Sequence, residues 1–232
     1  MAALDLLPPS VQAAVRPFLE SDAPRTAVFD ADGTLWRGDV GEDLLRFLAA
    51  SQVVRSDAYG RYDAVLEHAP VEAYGYAVRV MAGVREAELE AACATFFTQR
   101  YLGRIFPFVR PLFDVLRRAG VTPWLCSASP RWIVEAGARA LGVEPEHVIG
   151  VDAEVDAGVL TDRLRLPVTA GPGKVEWLSR RGVTPGFAAG NGELDLDMLA
   201  AARHRLVVAP PDGVENALVR HARTSGWPIL KT

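Results

Sequence analysis

An α/β fold is predicted, with a doubly wound parallel-sheet (Rossmann-like) core and an inserted all-helical cap. Three observations point to it. In the second half of the chain, short apolar segments alternate with segments of helical periodicity. After the first apolar segment come about seventy residues of helical pattern without a convincing strand, too many for a plain crossover. Acidic, hydroxyl and amine side chains stand next to the ends of the apolar segments, where such sheets hold their ligands.

Taken in order, "PSVQAAVRPFLES" has apolar residues at helical spacing, with Ser10 placed to cap it. "TAVFD" reads as a buried strand. The block after Gly38 holds the helical stretches "EDLLRFLAASQVV", "VEAYGYAVRVMAGV" and "REAELEAACATFFTQRYLGRIF". Beyond Pro107, "FVRPLFDVLRRAG" is a helix stopped by Gly120 and "VTPWLCS" a strand. "PRWIVEAGARALG" is again a helix, and "HVIGVDAEVDAGVLTD" a strand entering a hairpin that turns at Ala-Gly. Then come the helix "KVEWLSRRG", the strand "GFAAG", the helix "DLDMLAAARHR" and the strand "LVVA". "GVENALVRHARTSG" and "WPIL" close the chain. The predicted organisation is a core of residues 1–37 and 108–232 and a cap of residues 38–107.

Composition excludes several classes. Half of the 232 residues are hydrophobic, enough for a sizeable core and against disorder. The net charge of −4 is mild, and no basic block or basic amphipathic stretch indicates nucleic acid or membrane as a partner. Cys93 and Cys126 lie in apolar surroundings, as buried free thiols of a reducing compartment do. No apolar run has transmembrane length, and "MAALDLLPPSVQ" lacks the pattern of a signal peptide. A cytoplasmic protein, monomer or homodimer, is expected.

The chemistry lies in what borders each strand. Asp30 and Asp32 follow the first, and Ser127 follows "PWLC". Lys174 precedes the "VEWL" helix, and Asn191 and Asp195 follow "GFAAG". Singly, each has a bland explanation as a turn, a helix cap or a solvated charge. "DADG" is not a calcium loop, because Gly33 comes too soon and the distal glutamate is missing. "GPGKV" has neither the glycine spacing nor the following Ser or Thr of a Walker loop. Together they ask for one account. Clustered carboxylates repel unless a cation sits among them, and hard oxygen ligands suit Mg²⁺. A serine and a lysine facing that cation hold an anion, of which phosphate is the natural one.

Four motifs in order, "FDADGTLW", "LCSAS", "GPGKVEWL" and "GNGELDLDML", resemble those of haloacid dehalogenase-superfamily phosphatases, in the branch typified by phosphoserine phosphatase. The resemblance spans about Arg25 to Ala209, and the hairpin "DAEVDAGVLTD" and the position of the helical cap share in it. It implies an Mg²⁺-dependent phosphomonoesterase acting on a small phosphorylated metabolite. Asp30 would be the nucleophile that forms an aspartyl-phosphate. Asp32 would protonate the leaving alcohol and later deprotonate the attacking water. Ser127 would bind a phosphoryl oxygen, and Lys174 would neutralise charge on the phosphoryl group and on Asp30. The metal would take the Asp30 carboxylate, the Asp32 main-chain carbonyl and the fourth motif, Asn191 with Asp195. Asn191 departs from the more common aspartate. Its amide oxygen still ligates but brings no charge.

Asp32 favours ester hydrolysis over dehalogenation, since a departing halide needs no proton. In the same branch an acidic residue nine positions after the nucleophile meets the substrate ammonium, which is Asp39 here, and an arginine of the cap meets the carboxylate, for which Arg79 is the best match. Glu42 and Asp43 could add acidity, and Trp36, Tyr74 and Tyr76 could offer aromatic surface to a quaternary ammonium. Phosphoserine is thus the leading substrate. The alternatives are phosphocholine, a phosphoryl-transferring mutase, and a degenerate non-catalytic scaffold.

Overall fold

The computed structural model describes residues 4–211 and 214–232. The start of the predicted core segment and Gly213 of the closing stretch lie outside the described residues. The elements run α1 (Pro9–Glu20), β1 (Thr26–Phe29), α2 (Val40–Ala50), α3 (Ala58–Leu66), α4 (Pro70–Arg79) and α5 (Glu86–Arg100). Then come α6 (Val109–Arg118), β2 (Thr122–Pro130), α7 (Arg131–Ala140), β3 (Val148–Asp156) and β4 (Val159–Arg165). The chain ends with α8 (Pro172–Arg180), β5 (Phe187–Gly190), α9 (Leu196–Ala201), β6 (His204–Ala209), α10 (Ala217–Thr224) and β7 (Ile229–Lys231).

Seven strands form one sheet in the order β4-β3-β2-β1-β5-β6-β7. β1 pairs in parallel with β2 and with β5, and β5, β6 and β7 continue in parallel. Only the hairpin partners β3 and β4 are described as antiparallel. This is the predicted doubly wound fold. From β1 the chain winds outward through β2, then returns with β5 against the other side of β1. The strand order therefore reverses between β1 and β5, and the crevice beyond their carboxyl ends is the topological switch point.

The chain packs into two compact units. One holds residues 1–37, 105–126 and 171–232; the other holds residues 38–104 and 127–170. In the first unit β1 and β5 are central, so Ala27, Val28, Phe29 and all four residues of β5 are buried. The Phe29 ring meets Phe113 of α6 at 4.9 Å and Phe187 of β5 at 5.9 Å, and Phe18 of α1 meets Phe187 at 5.5 Å, all in tilted pairs. Two expectations need correction. Pro8, not Ser10, occupies the N-cap of α1 with Pro9 at its first position, where a missing N–H costs nothing. Helix α9 ends at Ala201, because Ala202 is extended and His204 pairs with Phe187 to open β6.

In the second unit the hairpin turns at Ala157 and Gly158, both left-handed with φ of 47° and 79°, as a two-residue turn between twisted strands requires. Gly75 lets α4 approach β4 closely, since a Cβ there would lie 2.9 Å from Leu164. Arg131 on α7 bridges Glu86 of α5 at 2.7 Å, Glu135 at 2.8 Å and Asp152 of β3 at 3.0 Å. The Trp132 indole also donates to Glu86, at 3.0 Å. These contacts group residues 127–170 with the helical segment 38–104, whereas the sequence reading placed them with the core.

Candidate active site

Asp30 is the first residue beyond β1. Its N–H donates to the Ala189 carbonyl of β5 at 2.9 Å, which sets its side chain at the switch point. The carboxylate is buried and uses both oxygens: Oδ1 accepts from Lys174 Nζ at 2.8 Å and Oδ2 from the Thr34 hydroxyl at 3.0 Å. Burial pushes its pKa up to about 6, helped by the Asp195 carboxylate and opposed by Lys174 and Thr34.

The chain then makes a tight turn. Thr34 and Leu35 donate their N–H groups to the Ala31 carbonyl, and Gly33 donates to the Trp36 carbonyl at 2.8 Å. Gly33 has φ of 71°, and a Cβ there would lie 2.0 Å from Asn191 Nδ2. Any other residue would be strained there and would have to displace the Asn191 amide. Asp32 is half-buried, and its Oδ1 accepts the Trp36 indole N–H at 2.6 Å.

Lys174 lies in the first turn of α8, where the helix dipole disfavours a cation. It is 1 % exposed and is stabilised by two carboxylates, Asp30 at 2.8 Å and Asp195 at 2.6 Å. Burial works against its charge, but the two carboxylates outweigh it and hold its pKa above the ordinary lysine value.

Asp195 is fully engaged. Its Oδ1 takes Lys174, and its Oδ2 accepts the N–H groups of Asn191 at 2.9 Å and Gly192 at 3.0 Å. Asn191 follows β5 directly. The Thr34 hydroxyl lies 3.4 Å from Asn191 Oδ1, so the Asp30 and Asn191 oxygens converge on one hydroxyl. The Asn191 carbonyl is held by Asn216 Nδ2 at 2.7 Å.

These residues fit a hard divalent cation. Among the described residues no three His, Cys, Asp or Glu side chains are grouped to hold a metal. The fit rests instead on oxygens: Asp30 Oδ2 and Asn191 Oδ1, which meet at the Thr34 hydroxyl, are of the kind that Mg²⁺ takes with added water or substrate oxygens. Direct ligation by Asp195 would cost it the lysine or the two amides.

Ser127 belongs to the other unit. It is buried, its Oγ accepts from the Ser129 N–H at 3.1 Å, and its carbonyl accepts from the Thr169 hydroxyl at 2.6 Å. Asp39 caps α2 by accepting from Glu42 N–H at 2.8 Å, and burial raises its pKa, with Glu42 and Asp43 adding to the rise. Arg79 is exposed and lines a pocket of about 430 Å³ with Glu72, Gly75, Leu164 and Leu166. Asp39 does not line that pocket. Trp36 is 0 % exposed, so it offers no aromatic surface to a ligand.

Sequence reasoning missed Thr34, Asn216 and the indole bond. Thr34 carried a signal, since it stands within the same short motif as the aspartates. Asn216 carried none beyond its ability to cap α10, where its Oδ1 accepts from Val219 N–H at 2.9 Å.

The family model of haloacid dehalogenase-like hydrolases matches residues 27–200. Among solved structures, a protein of unknown function from Bordetella pertussis Tohama I is similar at a TM-score of 0.74 and 23% identity, over 89% of this chain and 97% of that one. A functionally unknown protein from Anaerococcus prevotii DSM 20548 is similar at 0.71 and 16%, over 94% and 90%. A phospho-aspartyl intermediate analogue of phosphoserine phosphatase shares the fold at 0.59 and 15%, over 90% and 94%.

Proposed function

Because the chain belongs to the haloacid dehalogenase-like hydrolases, we propose that it is a phosphatase that hydrolyses a small phosphate monoester through an aspartyl-phosphate on Asp30. The observation that carries this is the buried Asp30 carboxylate, at the sheet's switch point, 2.8 Å from a buried lysine. A carboxylate needs no deprotonation to attack. Lys174 keeps it charged and offers a cation to the phosphoryl oxygens.

In the first step an Asp30 oxygen bonds to phosphorus and the ester P–O bond breaks. The proton on Asp32 goes to the departing alkoxide. In the second step Asp32 takes a proton from water, whose oxygen attacks phosphorus. The P–O bond to Asp30 breaks, inorganic phosphate leaves and the carboxylate is restored. Asp30, Asn191 and the Asp32 carbonyl would hold Mg²⁺, which when bound offsets the negative charge of the carboxylate and the phosphoryl group. Ser127 is given a phosphoryl oxygen on the strength of its motif.

Phosphoserine is the first ester to test. Asp39, with Glu42 and Asp43 near it, suits the substrate ammonium. The aromatic support for phosphocholine weakens because Trp36 is enclosed. A carboxylate contact from Arg79 is the least supported part, since that side chain lines a separate pocket without Asp39. A cytoplasmic setting agrees with the two free buried thiols. Among the described residues no helix is long and apolar enough to cross a membrane.

The test is an assay with 4-nitrophenyl phosphate and Mg²⁺, followed by phosphoserine, phosphocholine and other small esters. Asp30→Asn should abolish turnover while the protein stays folded, because an amide cannot form the acyl-phosphate. Substantial residual activity in Asp30→Asn would end this reading.

A further inference from the structure

Trp36 is fully enclosed, yet its one polar atom is spent on a working group of the site: the indole N–H meets Asp32 Oδ1 at 2.6 Å. A buried aromatic of this size needs no N–H to fill its place; phenylalanine fills cores as well. The bond is also locked from both sides. Asp32 and Trp36 form a backbone bridge, Gly33 N–H holds the Trp36 carbonyl at 2.8 Å, and Trp36 bridges to Ile105. Phe106 N–H further holds the Leu35 carbonyl at 3.0 Å. These bonds fix the backbone on both sides of the indole, and its full enclosure leaves the ring no room to swing away from Asp32.

An indole N–H donates and never accepts. Asp32 Oδ1 is thus an acceptor whether the carboxyl is protonated or not, and the transferable proton belongs on Oδ2. We infer that Trp36 is the positioning residue of the acid–base step. It fixes the Asp32 carboxyl plane and assigns Oδ2 as the oxygen that gives the proton to the leaving alcohol and takes it back from water. This rests on the acid–base reading of Asp32 given above. Asp30 attacks and Trp36 touches neither substrate nor phosphate, so the effect must show in proton transfer alone.

The test compares kcat/KM, which reports the steps up to departure of the alcohol, for phosphoserine and for 4-nitrophenyl phosphate. The alkoxide of the first needs a proton, and the nitrophenolate of the second does not. The proteins are wild type, Trp36→Phe, a variant with 3-benzothienylalanine at position 36, and Asp32→Asn. The benzothienyl ring has the shape of indole with sulfur in place of N–H, so it keeps the packing should Trp36→Phe fail to fold. Acid–base catalysis supplies about 10²–10⁴-fold, and loss of alignment should forfeit about tenfold of it. The expected result is that both position-36 variants lose about tenfold on phosphoserine and less than about twofold on the aryl ester. A merely structural role would lower both esters together. Equal loss on both esters, or no loss while Asp32→Asn discriminates between them, overturns the inference. If Asp32→Asn itself treats the two esters alike, the acid–base reading falls, and the inference falls with it.

Discussion

The Asp195 carboxylate holds the Lys174 ammonium at 2.6 Å, a shorter contact than the 2.8 Å from the same nitrogen to Asp30. Asp195 of the fourth motif therefore serves the lysine first. Breaking a buried ion pair leaves an uncompensated charge and costs about 3–5 kcal/mol. Asp195→Asn should lower thermal stability by several degrees and reduce kcat, while the Mg²⁺ concentration for half activity changes less than about threefold. Scanning calorimetry with a magnesium titration checks this. A large shift in the magnesium requirement alone would make Asp195 a metal ligand instead.

Asn191 brings an oxygen without a charge to the proposed cation site. Asn191→Asp should lower the Mg²⁺ concentration for half activity by about tenfold, about 1.4 kcal/mol, with a smaller change in maximal rate. The added carboxylate also repels the anionic phosphoryl group, so tighter metal binding does not entail faster turnover. Asn191→Ala should raise the magnesium requirement. If the three proteins titrate alike at saturating substrate, Asn191 is no ligand.

Gly33 has both a left-handed backbone and no room for a methyl group against Asn191. Gly33→Ala should destabilise the fold by at least about 1 kcal/mol and weaken activity through a displaced Asn191. A variant as stable and as active as wild type would mean that the turn relaxes freely. Urea denaturation together with a steady-state assay measures both effects.

Cys93 and Cys126 are buried, and burial pushes both thiols up to about 12. Only the thiolate is nucleophilic, and it is scarce at pH 8. Native protein should react slowly with Ellman's reagent, then release two equivalents in denaturant. Fast reaction of either thiol in the native state would contradict the enclosure of Cys93 or of Cys126.

The sheet was legible because its apolar segments are short, separated by turns and bordered by chemistry-bearing residues. Asp30, Lys174, Asn191 and Asp195 could be named because each stands in a motif beside a strand or a helix start. What stayed hidden depends on distance in the chain. Asn216 reaches the Asn191 carbonyl across 25 positions with no motif around it. The ordered indole bond was missed because a tryptophan reads as apolar area, not as one N–H with a direction. The grouping of residues 127–170 with the helical segment comes from packing spread over several elements, the contacts of Arg131 and Gly75 among them, and neither residue stands out from the sequence. The end of α9 was overrun because Ala202–Arg205 keeps a helical composition while the chain turns extended to meet Phe187.

The reversal of strand order between β1 and β5 has a consequence for how the protein is made. Asp30 leaves the ribosome well before two of its partners, since β5, which flanks β1 opposite β2, begins at Phe187 and its lysine stands at Lys174. The pairing of Phe29 with Ala189 must close a loop over about two thirds of the 232 residues, and such long-range parallel contacts form slowly. A nascent chain that ends before residue 174 carries the acidic turn without its counter-charge and the first strand with an open edge. A fragment that ends before Lys174 therefore lacks both the lysine and β5, and should show no phosphatase activity.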